Sequence, residues 1–209
     1  MANGIFQKAK EEFLGGNADL IGNTIKAALI DLNDIAGTIT GATNATPIVI
    51  TETSHGFSNG DVVCIQQVAG NLAANGKFRI ANVATNTYEL TTYAAGANVA
   101  GSGSYTSGGL SINLTSMDYW DDVSAGVIGT PGALTSKTVT NGVFDAADVT
   151  FTAVTGNTVE AVILYLDSGT PSTSPLIYYA DQSSGAAFQI TPTGSDIDIQ
   201  WSASGIFAL

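Results

Sequence analysis

The chain has 209 residues, with 18 acidic against 6 basic side chains, a formal net charge of -12 and a pI near 4.1. Its single Cys excludes an intrachain disulfide framework and a Cys-rich zinc site, and so acidic a surface repels phosphate, which excludes a basic nucleic-acid groove. Only 11% of the residues are charged, and the remainder is rich in Thr, Ser, Asn, Gly and Ala, the composition of pleated sheets and turns rather than of long surface helices. No run approaches the roughly 18 apolar residues of a membrane span. The opening residues lack the apolar core and small-residue cleavage site of a secretory signal, so the expectation is synthesis in a cytoplasm with Cys64 reduced.

In chain order, Ile5, Phe6, Ala9 and Phe13 recur at helical spacing, with Asn3 as the expected N-cap and Gly15-Gly16 as the stop. A helix of about three turns is unstable alone and must dock. Thr24 to Leu32 reads as a buried strand. From Thr43 to about Thr92, four short strands (Pro47–Thr51, Asp61–Gln66, Lys77–Ala81 and Thr87–Thr91) alternate with Gly and Asn turns, the pattern of a small β-barrel or sandwich. Ala94 to Gly109 buries little and reads as a flexible return segment.

Strand then follows strand. Leu134 to Thr140 runs into Asn141-Gly142, a hairpin signal. Asp148 to Val154 alternates, placing Val149, Phe151 and Ala153 on one face and Thr150 and Thr152 on the other. Val159 to Leu166 is apolar on both faces apart from Glu160, as in a central strand, and Leu176 to Ala180 follows after a loop. Ile197, Ile199 and Trp201 point inward, and the terminal Gly205–Leu209 is expected to be tied into the sheet. The fold class is therefore mainly β: an antiparallel β-sandwich of six to eight strands with a short N-terminal helix and an inserted small β-barrel. The expected bounds are 1–40 for the helix and first strand of the main domain, 41–104 for the insert, and 105–209 for the rest.

The residues offer little chemistry. His55 sits in a turn with no second His to share a metal, and Cys64 lies mid-strand as a buried thiol. Asp118, Asp121 and Asp122 crowd one loop, but the spaced carboxylates of a Ca²⁺ loop are missing, and turn capping accounts for them. No phosphate-binding Gly loop is present. The expectation is no enzyme activity, no catalytic residue, no metal and no cofactor. Tyr119 and Trp120 suit either a packing plug, an interface anchor or a sugar platform.

The opening Met1-Ala-Asn-Gly-Ile-Phe-Gln-Lys-Ala-Lys10, Ile25 to Leu32, Gly132 to Phe151, Glu160 to Tyr165 and Thr173 to Ile177 together resemble a family of small structural proteins of tailed bacteriophages. The middle, Ala45 to Thr51 with His55-Gly56, Gly60-Asp61, Asn75-Gly76 and Thr87 to Thr91, is similar to a β module of phage tail and capsid-associated proteins, and to the small barrel inserted in ubiquitin-activating enzymes. The resemblance implies a virion protein made in a bacterial cytoplasm, most simply a head decoration or cement protein contacting the major capsid protein and its own copies as a homo-oligomer, a trimer by family habit. A tail, fibre or connector component, or a carbohydrate-binding adhesin, is the alternative. Neither nucleic acid nor membrane is an expected partner. Phe6, Phe13, Tyr119, Trp120 and Phe207 are the candidate interface residues, with ordinary intrachain packing as the competing reading of the three Phe side chains. An inserted module should have its two ends close together. The mixed-charge N-terminal and inserted pieces would face the capsid or neighbouring copies, and the acidic sandwich would face outward.

Overall fold

The computed structural model describes residues 3–183 and 186–209, so the first two residues of the opening motif lie outside it. The chain divides into two compact units. One is built on Leu32–Ser116, with short pieces around Gly4 and Asp181; the other comprises Ile5–Asp31, Met117–Ala180 and Phe188–Leu209.

The second unit is organised by a sheet in the order Gly4–Ile5, Leu176–Ala180, Ala161–Leu166, Ile25–Ile30, Val127–Ala133. Ala161–Leu166 is central, antiparallel to both neighbours, and buried along almost its whole length, as its unbroken apolar run requires. Two smaller antiparallel sheets share its core. Thr138–Thr140, Val143–Asp145 and Phe207–Ala208 form one, and Val149–Phe151 with Ile197–Ile199 forms the other. Leu29, Leu164, Phe144, Phe151, Ile199 and Phe207 belong to one continuous apolar cluster between these layers. The expected mainly β architecture with its short N-terminal helix is therefore present. The helix runs Gln7–Leu14 and ends at Gly15, but Phe6 rather than Asn3 precedes it, and no side chain caps it. Asn3 instead accepts the Asp181 N–H through Oδ1, at 3.2 Å.

The first unit is a closed antiparallel barrel: Gly37–Ala42, Val49–Glu52, Thr87–Thr92, Gly76–Ala84, Val62–Gln66 and Leu110–Asn113 in that spatial order. It has six strands, not four. Its first strand begins before the expected 41–104 and its last lies beyond it, and the two pair with each other through Gly37↔Ser111 and Thr38↔Leu110. The ends of the insert are thus adjacent, which lets it sit in a loop of another domain. These two strands are faint in the sequence because Gly-Thr-Ile-Thr-Gly-Ala and Leu-Ser-Ile-Asn carry little apolar signal.

Ala94 to Gly109 is held, not free. Val99 accepts from the Ile48 N–H and donates to the Leu90 carbonyl, Gly101 donates to Ala45, and Val99 and Tyr105 pack on the barrel core. Small side chains let this backbone run close beside the barrel strands, where hydrogen bonds supplement its few apolar contacts. One face assignment also changes. Ala153 has φ +50° and is exposed, because the strand stops at Phe151 and the Ala153 N–H bonds to Asp196.

Candidate functional site

The acidic-aromatic loop is built by its own carboxylates. Asp122 Oδ2 accepts the N–H groups of Asp118 (2.8 Å) and Tyr119 (3.0 Å), closing a 3₁₀ turn over Trp120–Asp122. Backbone bonds from Trp120 to Ser174 and from Leu176 to Asp118 tie this turn to the neighbouring loop. The Trp120 ring lies nearly parallel to Tyr165, with centroids 4.0 Å apart and planes at 14°. That stack occupies one indole face, so Trp120 serves first as a plug.

Lys8 sits over the Tyr119 ring, 5.4 Å from its centroid, and pairs with Glu12 at 2.7 Å. The hydrogen bond to Glu12, followed by that to Tyr119, raises the Lys8 pKa, and the same Lys8 contact holds Glu12 below its usual range. Asp118 moves the other way: burial, then Asp122 and Glu11 nearby, push its carboxyl up. The loop is thus a half-buried, internally bonded surface with Asp121 and Asp122 exposed.

The three Phe residues lie elsewhere in the unit. Phe6 is completely buried, and Phe207 is buried between Phe144 and Tyr178, each 5.2 Å away by ring centroid. Phe13 is half-buried and stacks on Phe207 at 6.4 Å. Phe6 and Phe207 therefore act as core side chains.

His55 is a turn residue. Its Nδ1 accepts the Phe57 N–H at 3.0 Å, so Nε2 carries the ring proton, and the imidazole meets Tyr88 edge-on at 5.1 Å. Cys64 is buried, and desolvation pushes its thiol far up, so the nucleophilic thiolate is suppressed. Among the described residues, no group of three or more His, Cys, Asp or Glu side chains is arranged to hold a metal ion. No described helix is long and apolar enough to cross a membrane.

A polar cluster inside the barrel is not evident from the sequence. Glu52 is buried, and its Oε2 accepts the hydroxyls of Tyr88 and Ser111, both at 2.8 Å. Burial and the adjacent Glu52 push the Tyr88 phenol far up, so it remains a donor. A Cβ on Gly37 would overlap the Glu52 carboxylate and the Ser111 hydroxyl, so glycine makes the room. Two residues along the same strand as Ser111, Asn113 donates to Asp61 Oδ2 at 2.8 Å. Tyr88 meets Glu52 from the neighbouring strand, whereas the Ser111 contact reaches across the Gly37–Ala42 strand at the closure seam. The available signal was period-2 alternation, which places Glu52 on the same face as Ile48 and Ile50.

No family model matches the sequence, and no curated protein matches it significantly.

Proposed function

We propose that the protein is a structural component of a tailed-bacteriophage particle, specifically a decoration or cement protein on the head that contacts the major capsid protein and its own copies. The observation that supports this best is the architecture: two β units, each with its own core, one of them a closed barrel whose first and last strands are neighbours. Such an insert adds surface without disturbing the host sheet. A protein repeated over a symmetric shell needs surface and durability more than a catalytic pocket, and weak single contacts suffice because symmetry multiplies them. The phage-like segments map onto the sheet unit at Ile25–Ile30, Val143–Phe151 and Ala161–Leu166, which are core-forming.

Electron microscopy of intact particles with antibody against this chain tests the reading. The expected result is label at many sites over the head; label confined to the tail overturns it. Adding the purified chain to shells that lack it should raise their melting temperature.

A further inference from the structure

The three-stranded sheet of the second unit has an unfinished side. Its order is Thr138–Thr140, Val143–Asp145, Phe207–Ala208, and among the described residues no strand lies beyond Thr138–Thr140. Directly opposed residues share a face, and one row runs Val139, Phe144, Phe207. Phe144 and Phe207 are buried, whereas Val139 is 50% exposed. The apolar row continues from the core to the rim and stops there uncovered.

Exposed edges are ordinarily blunted by charge, proline or a bulge. The opposite case is on view in the same unit. The edge strand Val127–Ala133 carries Pro131 and an irregular register against Ile25–Ile30. Thr138–Thr140 has neither device, and its register with Val143–Asp145 is regular. Of the charges beside it, Lys137 turns its ammonium onto the Asn23 carbonyl, and Asp145, opposite Thr138, lies half-buried one strand inward. From Leu134 to Phe144 there is no acidic residue, in a unit holding thirteen of the eighteen acids of the chain.

We propose that this edge pairs with the same edge of a second copy, antiparallel, about a two-fold axis through Val139. In that register Val139 meets Val139, and Thr138 meets Thr140 twice. Thr–Thr pairs are favourable across strands, and the exposed Val is covered. A second copy is the occupant because the edge strand Thr-Val-Thr is complementary to itself and uncharged, with Asp145 one strand inward, so the contact row lacks the like charge that opposes self-contact over most of this surface. The pairing names a contact between copies, as the head role requires, and rests on that role only for its setting. Three residues per strand make a weak contact, with a Kd on the order of 0.1–1 mM, useful where copies are held close together.

Sedimentation equilibrium of the full chain tests this, with association expected as concentration approaches about 1 mM. Val139→Lys should weaken association at least ~10-fold with an unchanged melting temperature, since the site is exposed and two ammonium groups would face each other. Under oxidant, Val139→Cys should form a disulfide dimer, whereas Thr140→Cys, which faces Thr138 of the second copy, should not. A chain that stays monomeric, association unaffected by Val139→Lys, or equal cross-linking at both positions overturns the proposal. These outcomes are independent of where the protein lies on the particle, so failure of the edge and failure of the head role are read separately.

Discussion

The two units solve the β-sheet edge problem differently. The barrel closes on itself, so its strands have no free edge, and its interior tolerates a carboxylate because hydroxyl donors from two other strands meet it. The sheet unit stays open, fills its interior with aliphatic and aromatic side chains, and leaves one edge unprotected. Closure gives a self-contained insert; openness leaves the edge on which the proposed self-pairing rests. The sheet unit also carries thirteen of the eighteen acids but only four of the six bases, so most of the electrostatic repulsion between copies resides there.

The contrast between the units is broken most severely in the aromatic core of the open one. Phe207→Ala removes the ring between Phe13, Phe144 and Tyr178, and should cost the sheet unit about 3 kcal/mol. Both Trp residues, Trp120 and Trp201, lie in that unit, so urea unfolding followed by Trp fluorescence reports it directly. Gly37→Ala drives a methyl into the Glu52 carboxylate and should cost the barrel about 1–3 kcal/mol, read as lost amide-exchange protection in Val49–Glu52 and Leu110–Asn113. If Gly37→Ala shifts the Trp transition as much as the barrel's exchange, the units unfold together and their independence is lost.

Tyr88→Phe is milder. It removes one of the two hydroxyls that meet Glu52 Oε2, leaving that of Ser111, and should cost about 1–2 kcal/mol, measured by the same exchange. The smallest effect belongs to Lys26, which pairs with Asp167 at 2.6 Å near the sheet surface. The hydrogen bond from Lys26, then that from the Gly169 N–H, lowers the Asp167 pKa below its usual 3.8. A carboxyl with a depressed folded pKa stabilises fully above its unfolded value, and that stability is lost as pH falls through the folded one. Lys26→Met should therefore raise the Asp167 pKa by NMR titration and flatten the acid side of the stability profile, by under about 1 kcal/mol at neutral pH.

Much of the sheet unit is legible in the chain itself. The unbroken run Ala161–Leu166 announces a central strand, Asn141-Gly142 announces a tight hairpin, and both turn residues have positive φ, as that turn demands. Val149 and Phe151 point inward as alternation requires. Less legible are the strands Gly37–Ala42 and Leu110–Asn113, whose Gly, Thr, Ser and Asn do not signal burial, and the Glu52 cluster, whose partners lie 36 and 59 residues away. The Phe residues are visible as apolar, but apolarity does not distinguish a core ring from an interface anchor. Burial decides that for Phe6 and Phe207.

By itself, then, the sequence determined the class: composition and period-2 alternation make a mainly β chain with one short helix, and its acidity opposes phosphate-rich partners. Those properties are local or additive, so they survive without knowledge of contacts. The tertiary structure alone decided that the insert closes with six strands, that a buried carboxylate clasps its seam, and that Val139 lies on an open edge. Each of these depends on which distant strands become neighbours, and pairing between strands is a property of register and closure that no single segment carries.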